Sequence, residues 1–131
     1  MKQGNLIERK WAASYYRERE RVFKMKELQN TEEFNAYIQE GPVVFLFTAG
    51  WCPDCRVIEP VLPEIEEAYS QFEFIEVNRD NFIELCQEYD IYGIPSFLVF
   101  EKGAELGRFV SKDRKTKEEI ESFLEDVQKA Q

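Results

Sequence analysis

Val43-Val44-Phe45-Leu46-Phe47-Thr48-Ala49-Gly50-Trp51-Cys52-Pro53-Asp54-Cys55 is the stretch from which the fold is read. Five apolar residues in a row, bounded in front by Gly41-Pro42 and behind by Gly50, mark a central strand buried on both faces. A helix follows from about Cys52 to Tyr69, because Val57/Ile58, Val61/Leu62, Ile65 and Ala68/Tyr69 return every three to four residues. Pro60 lies inside that pattern and should kink it. Cysteines three apart on a helix are surface neighbours, close enough to be joined without moving the backbone.

Upstream, a short strand around Phe23 to Leu28 leads into a helix that Asn30 caps, with Glu33 three residues on and Phe34, Tyr37 and Ile38 facing inward. Downstream, Phe72 to Val77 reads as a strand, and Asn81 to Tyr89 as a short helix with Phe82, Leu85, Cys86 and Tyr89 on one side. Ser96 to Phe100 and Leu106 to Val110 flank Lys102-Gly103 as an antiparallel hairpin. The last helix has a capping box, Thr116 with Glu119, and a stripe of Ile120, Phe123, Leu124 and Val127. The order β-α-β-α-β-α-β-β-α gives an α/β fold: one mixed β-sheet with helices on both faces and an antiparallel C-terminal hairpin.

The chain has 131 residues, room for one domain and an appended arm. Its net charge of −9 divides unevenly: residues 1–24 hold seven Lys/Arg against three Glu, and residues 25–131 hold ten basic and 23 acidic groups. The division expected is a basic N-terminal arm at 1–24, with Ile7, Trp11, Tyr15 and Val22 at helical spacing, and a domain at 25–131. An acidic body repels phosphate backbones and anionic lipid heads, so neither nucleic acid nor membrane is an expected partner. Residues 1–24 lack the apolar segment of a signal peptide, and no stretch approaches the length of a membrane span. A cytoplasmic protein is expected.

Histidine is absent, which excludes His-based triads and Cys-His dyads. A zinc site wants four Cys or His ligands, and besides Cys52 and Cys55 the chain offers only Cys86, so no metal is expected. Cys86 lies on an apolar helix face, where an inert thiol is the usual occupant. Cys52, at the helix N-terminus, meets unpaired amides that favour a thiolate, whereas Cys55 is one turn inside. Cys52 is therefore the expected attacking sulfur and Cys55 the resolving thiol. Pro53 suits the first helical position, where no amide donor is needed. On its residues alone Pro95 reads as a proline opening a strand.

These features together resemble the thioredoxin family over about residues 25–129: Trp51-Cys52-x-x-Cys55 after a buried strand, Pro60 five residues on, and Gly93-Ile94-Pro95-Ser96 leading into an apolar strand. The resemblance implies a thioredoxin fold and a thiol-disulfide oxidoreductase with no cofactor of its own. Implied substrates are proteins or small thiol adducts carrying disulfides, and the implied electron source is an NADPH-dependent flavoprotein reductase. It implies that Pro95 is cis beside the disulfide and that Gly93 and Ile94 help bind an extended substrate. Trp-Cys-Pro-Asp-Cys and the tail Phe109 to Thr116 are closer still to small thioredoxin-like proteins of Gram-positive bacteria, of the Bacillus YtpP type. Those look as though they begin near Met25, so residues 1–24 read equally as a lineage-specific arm or as an upstream start.

Three positions depart from the family pattern: Leu46 replaces a buried Asp, Glu76 stands where a Lys is frequent, and Ser111 replaces a glycine. The usual proton relay to the resolving thiol is thus missing. Asp54, between the cysteines, or Glu76 beneath them is the expected substitute base. A second reading keeps the fold as a binding or adaptor module with little turnover.

Overall fold

Strand β2 (Val43–Thr48) is buried at every residue and forms the centre of the sheet. In the computed structural model, which describes residues 25–130, it is flanked by β3 (Glu73–Asn78), parallel to it, and by β4 (Ser96–Glu101), antiparallel. Outside these lie β1 (Lys26–Glu27), parallel to β3, and β5 (Ala104–Phe109), antiparallel to β4. The order across the sheet is β1-β3-β2-β4-β5. The expected arm helix at 1–24, and Phe23 of the first strand, lie outside the described residues.

Successive side chains of β2 serve two cores because strand side chains alternate between faces. Val44 and Leu46 join Ile58, Ile65, Phe97, Ile120 and Leu124 on one face. Val43, Phe45 and Phe47 join Phe34, Ile38, Leu85, Cys86 and Leu98 on the other. The first core lies under helices α2 (Pro53–Ile58), α3 (Leu62–Ala68) and α5 (Lys117–Ala130); the second lies under α1 (Thr31–Gln39) and α4 (Ile83–Glu88). Helices thus cover both faces of a mixed sheet.

The expected 52–69 helix is broken in the middle. A 3-10 turn, Glu59–Val61, separates α2 from α3 at Pro60, which has no N–H to continue the ladder. Val57 and Ala68, paired in sequence with inward neighbours, point to solvent. Caps form as their residue types dictate. Asn30 accepts the Glu33 amide at 2.8 Å, although Glu33 reaches back to the Gln29 amide rather than to that of Asn30. Thr116 and Glu119 make the full reciprocal box, with 3.1 and 2.9 Å bonds.

Strand bounds differ from the sequence expectation in each strand: β2 and β4 run one residue longer, to Thr48 and Glu101, and the other three differ more. β1 pairs at only two residues, and Phe72 packs ahead of β3 rather than within it. β5 begins at Ala104, two residues early, because Lys102 (φ 50°) and Gly103 (φ 86°) make a two-residue turn that returns the chain at once.

Candidate active site

β2 delivers the chain from the core to a turn, Ala49-Gly50-Trp51, from which α2 starts. Cys52 is its N-cap: the Cys55 amide donates to the Cys52 sulfur at 3.3 Å, and the Arg56 amide to the Cys52 carbonyl at 3.2 Å. Pro53 takes the first helical position, as its missing N–H allows. Cys52 is 5% exposed and Cys55 1%. All three cysteines are thiols. Burial first, and then the hydrogen bond to Cys52, push the Cys55 thiol up to about 11, while the Thr48 hydroxyl and the Ala49 backbone pull the other way.

The segment before β4 closes over this pair. The Ile94–Pro95 peptide is cis, and the Ile94 carbonyl accepts a hydrogen bond from the Cys52 thiol at 3.9 Å. Ile94 also packs on the small cluster of Ala49, Cys52 and Cys55. Gly93 is fixed from behind: a Cβ there would meet the backbone of Ser111 and stand 2.7 Å from the Lys112 Cα, so no larger residue fits. Its carbonyl accepts the Ser96 hydroxyl at 2.6 Å. The side chain of Trp51 is 60% exposed, and its indole N–H donates to Asp80 at 2.9 Å. Val57 and Tyr92 are likewise exposed apolar groups.

The two carboxylates expected as bases fall in different places. Asp54 is half-buried and ion-paired with Arg114 at 2.9 Å. Glu76 is half-buried and lines a cavity of about 280 Å³ behind Cys55, together with Leu46, Thr48, Glu59 and Glu66. Three participants were not anticipated from the sequence. Arg114 and Lys115 lie in a polar run, Ser111 to Thr116, that resembles any solvated loop, and only the fold brings them to the dithiol. Lys115 is 1% exposed and donates to the Ser111 carbonyl and hydroxyl and to the Asp113 carbonyl at 3.1–3.3 Å. Burial lowers its pKa, while Asp113 and Cys55 favour its charged form, and by reciprocity the ammonium favours a Cys55 thiolate. Glu66 had a legible signal: with Ile58, Leu62, Ile65 and Tyr69 it completes the spacing of the buried stripe, one carboxylate among apolar residues. Cys86 sits in the apolar core as expected, its thiol pushed up by burial.

Two thiols one turn apart, held where a central strand passes into a helix beneath a proline loop, define the class of the dithiol-bearing mixed-sheet domains. Residues 25–126 match the family model described as Thioredoxin. The chain is 33% identical over 94 residues to the mitochondrial thioredoxin-2 of Schizosaccharomyces pombe, covering 71% of each chain. It is also 33% identical over 91 residues to a thioredoxin of Chlamydia caviae, covering 69% of this chain and 89% of that one. Among solved structures, the thioredoxin of Trypanosoma brucei brucei superposes with a TM-score of 0.73 at 24% identity, over 82% of this chain and 94% of that one. The chain belongs to the thioredoxin family, and thiol-disulfide oxidoreduction is the class of reaction that membership supports.

Proposed function

We propose that the protein reduces disulfides in proteins or low-molecular-weight thiols through a Cys52/Cys55 dithiol-disulfide cycle. The observation that carries this reading is the placement of Cys52 at the start of α2, its sulfur accepting the Cys55 amide. The Cys52 thiolate attacks a substrate disulfide, forms a mixed disulfide and releases one substrate thiolate. Cys55 then attacks the Cys52 sulfur, and the second substrate thiolate leaves as the Cys52–Cys55 bond closes. Two electrons pass from the protein to the substrate.

The remaining site residues have roles in the same proposal. Gly93, Ile94 and Pro95 present a backbone edge to an extended substrate segment, and Trp51 provides an apolar rim. Pro53 sets the turn of the dithiol ring, and Asp54 and Glu76 set the charge around it. The electrons come from an NADPH-dependent flavoprotein reductase, and the reaction belongs in the cytoplasm, where thiols are kept reduced. Residues 25–131 are the working domain and 1–24 a basic appendage. The Trp51-Cys52-Pro53-Asp54-Cys55 sequence supports placing the chain in the small Gram-positive thioredoxin-like group of the YtpP type.

Reduction of insulin disulfides by the full chain tests the proposal. Wild type is expected to turn over repeatedly with a dithiol reductant, and Cys52→Ser to fall to the uncatalysed rate. Equal rates for the two proteins would favour an adaptor.

A further inference from the structure

The resolving step needs a base. Cys55 must lose its proton to attack, yet burial holds that proton firmly at neutral pH. The cavity behind Cys55 is the place to look for the acceptor. It is walled by Leu46 and Thr48 from β2, Glu76 from β3, Cys55 from α2, Glu59 from the 3-10 turn, and Glu66 from α3. Leu46 and Thr48 supply no base. Glu59 is exposed and Glu76 half-buried. Glu66, half-buried like Glu76, is distinguished by one atom: its Oε1 is buried with no hydrogen-bond partner among the described residues. A buried carboxyl oxygen left unpaired costs free energy, more so when the group is charged, and such an atom calls for an explanation.

We infer that Glu66 is the general base that accepts the Cys55 proton during resolution of the mixed disulfide. This rests on the dithiol cycle proposed above and assigns its missing proton acceptor. In the step, the Cys55 S–H proton passes to the Glu66 carboxylate while the Cys55 sulfur bonds to the Cys52 sulfur. The bond between Cys52 and the substrate sulfur breaks, and its electron pair leaves with the substrate thiolate. A cavity of this size and polarity has room for water to relay the proton. Burial pushes the Glu66 carboxyl up to about 7, so near neutral pH it is divided between a form that accepts and a form that has accepted. The other titratable groups on the cavity wall are Cys55, Glu59 and Glu76.

Reaction of the reduced full chain with the aromatic disulfide dithiobis(nitrobenzoate) separates the two steps, since attack by Cys52 releases one coloured thiolate and resolution by Cys55 the second. Glu66→Gln should leave the first release unchanged and slow the second on the order of 100-fold at pH 7. Wild type should show a rise in the second rate as pH passes through about 7, and Glu66→Gln should remove it. A second release that is unchanged, or both releases slowed alike, overturns the assignment. So does loss of the second release in Glu76→Gln but not in Glu66→Gln. Carboxyl-carbon NMR of reduced wild type, which needs no variant, should show one glutamate titrating near 7 that disappears in Glu66→Gln; wild-type carboxyls all titrating near 4.5 would contradict it. Failure of the cycle itself is distinguishable: Cys55→Ser would then keep the second release.

Discussion

At the scale of single residues, the site is shaped by what burial does to acids. Cys55 and Glu66 line one cavity and both hold their protons beyond the usual range. For Glu66 the shift from 4.5 unfolded to about 7 folded means that the native state binds more protons between those values. Stability therefore falls as pH rises from about 4.5 through 7 and levels off above. Allowing for solvent reaching part of the side chain, the effect is about 1–2 kcal/mol. Chemical denaturation of the reduced protein at pH 5 and pH 8 should show this difference, and Glu66→Gln should remove it. A thiolate disfavoured at Cys55 also bears on the redox couple. Strong oxidants owe their potential to a stabilised reduced form, and the Cys55 thiol, held protonated by burial, adds no thiolate stabilisation to it. The Cys52–Cys55 couple should therefore lie nearer the roughly −270 mV of a reductant than the −120 mV of an oxidant, as equilibration with glutathione or dithiothreitol will measure.

At the scale of elements, what was legible in the sequence was local. β2 could be read because an apolar run between turn residues has few alternatives, and the Thr116/Glu119 cap because its partners are three residues apart. The Pro60 break was legible for the same reason. Cys52 and Cys55 are brought together by one helical turn, so their half of the site needed no tertiary information. The proline loop, Arg114, Lys115 and the cavity depend on strands that pair across 30 residues (Val43 with Glu73) to 57 (Val43 with Phe100), and their residue types carry no mark of it. Glu66 lies between these cases, marked by an apolar stripe that it interrupts but given meaning only by the sheet behind it. Gly93 belongs here too, since its constraint comes from the segment after β5. Gly93→Ala should push the Ser111 and Lys112 backbone away, cost about 1–3 kcal/mol in thermal or denaturant unfolding, and slow insulin reduction by displacing Ile94.

At the scale of the whole molecule, the sheet divides the labour. One face holds a core containing the buried Cys86, while the other lies under the broken helix that carries the dithiol. In the proposed cycle Cys52 and Cys55, and not Cys86, exchange two electrons with a disulfide. The most direct test is to mix the fully reduced chain with one equivalent of insulin disulfide, alkylate the remaining thiols after unfolding, and map the products by mass spectrometry. A Cys52–Cys55 disulfide with Cys86 alkylated is expected. Cys52 and Cys55 both recovered as alkylated thiols, with the insulin still oxidised, would contradict it.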